Sequence, residues 1–267
     1  MSNVRCWQVN AFTSRPFHGN PAAVCWLEQD VPDRWMQAVA AEMNLSETAF
    51  VRKTDNGLQL RWFTPTVEVD LCGHATLATI HALTTAGLVS SSEPIQFQTR
   101  SGTLTCQRRG ALIELNFPAL PAEETAHDAR LLEAMGITAP VYFGKNRFDA
   151  IVVVSSPAEV RSVQPDFRRL GHLPYRGVIV TAQSDDPRYD FESRFFAPAV
   201  GVDEDPVCGS AHCCLTPFWS QRLQKTKLTA WQASARGGHL QLRLEGDRVV
   251  LGGEAVVVWQ GELMAGP

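Results

Sequence analysis

Two cysteine–glycine steps carry the strongest chemical signal in the chain. Cys72-Gly73-His74-Ala75 and Cys208-Gly209-Ser210-Ala211 each open a run of mostly apolar residues. Read as helix starts, they present backbone N–H groups with no partner inside the helix, and the helix dipole adds partial positive charge. Glycine lets a ligand approach the backbone closely. Each step is therefore a candidate cradle for a carboxylate or an oxyanion, with Gly73, Gly209 and Ser210 as candidate substrate-binding residues. In a two-fold repeat, two such starts can face each other across one cleft. A thiol beside a helix start is expected to have a lowered pKa, so Cys72 and Cys208 could also serve as a pair of bases, one removing a proton and the other replacing it. The plainer reading is that small cysteines pack well beside glycine.

Three further residues could move or hold a proton. Glu47 lies in Asn44-Leu45-Ser46-Glu47-Thr48 at a predicted helix–strand junction, and the matching region Tyr175 to Val180 has no acid. A lone carboxylate in a duplicated frame is what a single proton-transferring base would look like, and burial would raise its pKa usefully. Its plainer reading is a cap or a surface acid. His74 is placed to exchange protons near neutrality, and Asp205 sits in the segment Glu204-Asp205-Pro206. Their plainer readings are a loop hydrogen bond and a turn opening.

These residues sit in a repeat that halves the chain. Arg61-Trp62-Phe63-Thr64-Pro65-Thr66-Val67-Glu68-Val69-Asp70 recurs 133 residues later as Arg194-Phe195-Phe196-Ala197-Pro198-Ala199-Val200-Gly201-Val202-Asp203. After a three-residue insertion the C-G-[HS]-A steps follow. Around each copy the pattern reads as strands, a helix from Asp33 with Asp33 as N-cap, a strand pair around 48–63, a nearly uncharged helix from Gly73 ending at Gly87, and hairpins at 95–117. A helix apolar nearly all round is a buried one. The fold class is α+β, with two pseudo-symmetric halves, each a curled, mostly antiparallel sheet around a central helix. The halves are read as 1–117 and 118–267, joined by the Pro-, Ala- and Glu-rich stretch 118–128. The final strand, about 255–267, is assignable to either. Gly177-Val178-Ile179-Val180 is matched to the strand at 48–51. Pro217 is expected to kink or shorten the second apolar helix, since it removes a hydrogen bond.

Bulk properties exclude several classes. With 267 residues, 45% hydrophobic, each half can bury a core. The net charge of −4 offers nothing to nucleic acid or an anionic membrane. No apolar run approaches the roughly 18 residues of a membrane span, and Met1-Ser2-Asn3-Val4-Arg5-Cys6 lacks an export signal. Seven cysteines without such a signal point to reduced thiols and a cytoplasmic protein. There is no dinucleotide or P-loop glycine motif, and the histidines show no metal-binding spacing, so no cofactor and no metal are expected.

Gly19-Asn20-Pro21-Ala22-Ala23-Val24, Asn44 to Phe50, Phe63-Thr64-Pro65 with Cys72 to Ala78, and Glu204 to His212 together resemble the PhzF-like isomerases, of the diaminopimelate epimerase-like fold. The resemblance spans nearly the whole chain. It implies cofactor-free proton transfer at carbon, on a small anionic amino- or hydroxy-acid-like substrate held between the halves. A homodimer is common in the family. By position, Glu47 is similar to the family's general acid/base, and His74, Asp205 and Ser210 to its relay and positioning groups. Asn20 and Ser46 in the first two motifs join Gly73, Gly209 and Ser210 as candidate substrate contacts. Cysteines at both places where epimerase relatives carry their catalytic pair keep a two-thiol racemase open. A non-catalytic interaction protein on the same fold is the remaining alternative.

Overall fold

The computed structural model describes residues 3–266; Met1 and Ser2 of the N-terminal reading and Pro267 of the final stretch lie outside the described residues. The chain divides into two compact units. One is built from the chain up to Asn116 and again from Gly252 onward, the other from Phe117–Leu251.

The first unit opens with β1 (Val4–Ala11), β2 (Asn20–Leu27), α1 (Asp33–Met43), β3 (Glu47–Thr54), β4 (Gly57–Phe63) and β5 (Glu68–Val69). It continues through α2 (Gly73–Thr85), β6 (Ile95–Thr99), β7 (Gly102–Arg109) and β8 (Leu112–Pro118). The second unit runs through β9 (Glu123–Glu124), α3 (Ala129–Met135), β10 (Tyr142–Lys145), β11 (Asp149–Val153), α4 (Pro157–Ser162) and α5 (Phe167–Leu170). It is completed by β12 (Gly177–Gln183), β13 (Phe191–Phe196), α6 (Gly209–Leu223), β14 (Lys227–Gln232), β15 (Gly238–Glu245) and β16 (Arg248–Gly253). The last strand, β17 (Ala255–Leu263), returns to the first unit and pairs antiparallel with β1, from Val4 opposite Leu263 to Ala11 opposite Ala255. Among the described residues no helix is long and apolar enough to cross a membrane.

The same plan is repeated within each unit. β2 runs parallel to β3, and β3 antiparallel to β4, with Thr48 opposite Phe63. Likewise β11 runs parallel to β12, and β12 antiparallel to β13, with Val178 opposite Phe196. Since Phe63 and Phe196 are the same position of the repeat, Thr48 corresponds to Val178. The expected match of Gly177 with residue 48 is therefore one residue out of step. Gly177 corresponds to Glu47, and Arg176 to Ser46. A one-residue slip turns every side chain to the other face of a strand, so the difference decides which residues can meet a site.

Each unit buries one helix, and the buried threonines of these helices are satisfied locally. In α2, Thr76 and Thr79 are buried and their hydroxyls donate to Cys72 O (2.6 Å) and Ala75 O (2.7 Å). Thr216 of α6 does the same with His212 O at 2.6 Å. A hydroxyl returned to the i−4 carbonyl lets threonine sit in an apolar helix.

One helix expectation is corrected, and of the kink or shortening expected at Pro217 the shortening does not occur. Pro32, not Asp33, is the N-cap of α1, and Asp33 is its first residue, where its charge suits the helix dipole. Pro217 lies inside α6, which nevertheless runs 15 residues, from Gly209 to Leu223. Proline cannot donate to the carbonyl four residues back, which is Cys213. That carbonyl instead accepts the N–H of Leu120 at 3.0 Å. The 118–128 stretch is thus pinned rather than a free connector, and Glu123 and Glu124 pair with Lys145 and Gly144.

The repeated arginine explains why each copy begins where it does. Arg61 Nε and Nη2 donate to the two carboxylate oxygens of Glu68 at 2.7 and 2.8 Å. Arg194 Nε and Nη2 grip Glu204 at 2.7 and 2.9 Å. In both units the strand before the loop ties down the loop that feeds the helix start. Such paired, bidentate contacts fix geometry as well as adding energy.

Candidate active site

In the first unit, three elements deliver three reactive groups to one place. α1 ends at Met43, and Asn44 turns the chain in the left-handed region (φ 49°, ψ 37°), its N–H donating to Ala40 O. Asparagine tolerates that conformation better than most residues. Three residues later Glu47 opens β3, side by side with Ala22 of β2. The 64–72 loop then brings Cys72 to the N-cap of α2, and His74 follows inside the first turn. His74 Nε2 lies 3.3 Å from Glu47 Oε2, a close approach without good hydrogen-bond alignment, and His74 Nδ1 lies 3.5 Å from Cys72 Sγ. The Glu47 side chain is 20% exposed and that of His74 6%. One oxygen, one nitrogen and one sulfur ligand of these three residues lie within 4.8 Å of one another, a donor set that suits a thiophilic divalent ion as well as a proton chain. Histidine spacing alone does not reveal it, since its other members come from a strand start and a loop.

His74 differs from expectation. Burial pushes its pKa from 6.5 down to about 3, despite the carboxylate beside it. It is a neutral imidazole at pH 7, with one nitrogen donating and the other accepting. An unfolded chain would protonate it near 6.5, so unfolding takes up a proton between about pH 6.5 and 3. Its contribution to stability is complete above pH 6.5 and declines as pH falls through that window. Denaturant midpoints measured from pH 7.5 to 4.5 are expected to decline, and His74→Asn to flatten the decline by up to one proton, about 1.4 kcal/mol per pH unit. An identical slope in the variant would contradict a buried neutral His74.

The remaining candidates of this unit flank the cluster. Asn20 is buried at the start of β2, two residues before the partner of Glu47. The turn before it needs Gly19: its φ is +67°, and an added Cβ would stand 2.2 Å from Ala11 O. Ser46 is half-buried beside Glu47, and Gly73 is the first residue of α2.

In the second unit, Asp205 and the start of α6 are tied together by Gln232 of β14. Gln232 Nε2 donates to Asp205 O at 2.6 Å, and its Oε1 accepts the N–H of Cys208 at 2.9 Å. The Asp205 carboxylate accepts the N–H of Val207 at 3.2 Å. Cys208 Sγ caps Ala211 N, and Gly209 and Ser210 open the helix. The expected lowering of the Cys208 thiol does not hold. Burial raises it well above its ordinary value, the charge of Asp205 adds to this, and the helix end and Arg176 do not compensate. Cys213 and Cys214 are buried thiols that burial pushes up to about 12.

Two residues of this unit escape sequence reasoning. Gln232 is one. The other is Arg176, which donates to both oxygens of Asp149 (2.9 and 2.5 Å) and from Nη2 to Ser210 Oγ (2.6 Å). Its guanidinium also lies 5.0 Å from the ring centre of Phe148 and 5.8 Å from that of Phe195. Burial pushes the Asp149 carboxyl above its ordinary value, the Arg176 guanidinium only partly offsets this, and the two-pronged contact is that of an ion pair. The only legible signal was an arginine in the segment that lacked an acid.

Residues 9–261 match the family described as phenazine biosynthesis-like protein, PhzC–PhzF. The chain belongs to this family. An uncharacterised isomerase of Halalkalibacterium halodurans is 50% identical over 265 residues, which span 99% of this chain and 100% of the relative. The crystal structure of a PhzF-family protein from Enterococcus faecalis is 40% identical, with a TM-score of 0.93 over 98% of this chain and 99% of that one. A hydroxyproline epimerase from Agrobacterium vitis, solved with bound trans-4-hydroxy-L-proline, shares the fold at 11% identity and a TM-score of 0.61, covering 99% and 94%. The epimerase-like fold that the resemblance implies is thus the fold of this PhzF-family chain, and the enzyme is an isomerase.

Proposed function

We propose that this PhzF-family isomerase moves a proton at carbon in a small carboxylate-bearing acid, without a cofactor, and that Glu47 takes and returns the proton. The observation that carries the reading is the Glu47–His74–Cys72 chain at the start of α2. Glu47 removes the proton from a C–H bond, and the bonding pair moves into the adjacent carbonyl or carboxylate as an enolate. Helix-start N–H groups, offered where that negative charge develops, stabilise it more than they stabilise the substrate. Neutral His74 accepts the thiol proton of Cys72 on Nδ1, which holds the imidazole in the tautomer that carries its own proton on Nε2, 3.3 Å from the Glu47 carboxylate. Glu47 then returns the proton to another carbon, or to the opposite face of the same one. Asn20 and Ser46 are assigned to substrate positioning beside Glu47, and Asp205, Ser210 and the backbone of Gly209 to substrate positioning at the start of α6. The ligand of the hydroxyproline epimerase supports a small amino or hydroxy acid as the substrate class.

A two-thiol racemase needs both cysteines to ionise readily, and the raised Cys208 thiol weighs against it. The test is wash-in of solvent deuterium into a panel of amino and hydroxy acids, read by mass spectrometry. Exchange is expected for at least one acid, retained within about threefold in Cys208→Ala and lost in Glu47→Gln, in line with the size of a general-base effect. Loss in Cys208→Ala with retention in Glu47→Gln would transfer the role to the thiols. No exchange across the panel would end the reading.

A further inference from the structure

The second unit holds a buried carboxylate beside its helix start, but it is engaged differently from Glu47. Asp149 is 1% exposed and occupies the position that Ala22 holds in the first unit. Its two oxygens are taken by the Nε and Nη2 of Arg176. The guanidinium is further confined by the faces of Phe148 and Phe195. Gly177 cannot be exchanged for a larger residue here, because a Cβ would stand 2.3 Å from the Phe195 ring. Arg176 is thus held by a strand acid and two rings before it meets Ser210, and its reach to Ser210 Oγ at 2.6 Å is preset.

That contact has one possible polarity. A guanidinium has five donors and no acceptor, so the Ser210 oxygen must accept. The single hydroxyl proton of Ser210 then points away from Arg176, and although one lone pair is left, the adjacent guanidinium charge disfavours a second N–H donor or a cation there, so Ser210 meets a ligand best as a donor to an oxygen. We infer that Arg176 is a positioning residue that locks Ser210 as a hydrogen-bond donor, so that the isomerase selects substrates placing a carboxylate or carbonyl oxygen at Ser210 and rejects those placing an amide NH2 or ammonium there. This rests on the proton-transfer reading for its kinetic consequences, though not for its geometry. A site built to donate a hydrogen bond discriminates strongly, because a mismatched ligand leaves buried polar groups unpaired.

The variants are Arg176→Met, Ser210→Ala and their combination. Because Arg176→Met strands a buried carboxylate, the pair Asp149→Asn with Arg176→Met is made alongside it, removing the charge together with its partner. The first readout is exchange kinetics on whichever panel acid the wild type exchanges fastest. Arg176→Met is expected to raise KM roughly 10- to 100-fold, the size of a hydrogen bond involving a charged group, with kcat within about threefold, as for an interaction made equally in the ground and transition states. In the Ser210→Ala background the Arg176→Met effect should vanish, since Arg176 acts through that hydroxyl. The second readout needs no substrate: crystal structures of the wild type and of the Asp149→Asn, Arg176→Met pair. Ser210 is expected in one side-chain conformer in the wild type and in several in the variant. Additive kinetic effects of Arg176→Met and Ser210→Ala, or an unchanged single Ser210 conformer, overturn the inference. If the wild type exchanges no acid, the proton-transfer reading fails, and the Ser210 conformers alone decide the inference.

Discussion

Glu47→Gln is expected to lower solvent-deuterium exchange by roughly 10²- to 10⁴-fold, the range that a positioned general acid or base contributes. Gln preserves the shape of the side chain at the start of β3 and the backbone pairing beside Ala22. It cannot take up a proton. The loss should therefore come with little change in thermal stability, which separates chemistry from folding. His74 and Cys72 remain in place in the variant, so any residual exchange measures what they do without the carboxylate. Glu47→Asp keeps the charge but withdraws it by one methylene, and an intermediate rate is expected because misplacement of a reacting group by about 1 Å already costs about 10²-fold. Exchange by Glu47→Gln within threefold of the wild type would remove Glu47 from the chemistry.

The largest stability effect is expected at Arg194. Its side chain is 11% exposed, and besides the two bonds to Glu204 its Nη1 donates to Val163 O at 2.7 Å, with Val160 O and Arg161 O at 3.4 and 3.3 Å. The guanidinium lies 4.7 Å from the centre of the Phe196 ring. One side chain thus ties β13, the end of α4 and the 197–208 loop. Arg194→Met keeps much of the hydrocarbon stem but leaves Glu204 and three carbonyls without this donor. Breaking a largely buried pair from one side costs about 3–5 kcal/mol, which for a chain of this size is a Tm lower by roughly 6–20 °C. Adding Glu204→Leu should recover part of the loss, because an unpaired carboxylate is no longer left behind. A Tm within about 2 °C of the wild type in Arg194→Met would contradict this bracing role.

How far the sequence could be read depended on how far apart the partners are. The Arg61 and Arg194 repeats, the loops after them and the helix starts at Gly73 and Gly209 are local features, and the duplication displays them twice. Glu47 was legible because its motif is contiguous and its counterpart region has no acid. Arg176 and Gln232 were not legible, since their partners Ser210 and Asp205 lie 34 and 27 residues away and no local pattern marks them. Pro217 removes one helical hydrogen bond without ending α6, and the carbonyl it frees is served by Leu120 from far along the chain. The thiol of Cys208 and the imidazole of His74 were read from a helix end and from a free residue's ordinary titration, but burial outweighs both. The shift between residues 48 and 178 emerged only from strand register, which a repeat with an unequal insertion does not reveal.

The return of β17 to β1 sets a timetable for synthesis. The strand that pairs with Val4 to Ala11 arrives as Ala255 to Leu263, and at roughly 5–20 residues per second translation takes on the order of 10–50 s to reach it. Until then the first unit to be made holds one side of its opening strand unpaired, while the later Phe117–Leu251 unit emerges uninterrupted. An unpaired strand edge is a template for pairing with other chains. The order of completion is therefore reversed relative to the order of translation: the half carrying Glu47 begins first and is sealed last.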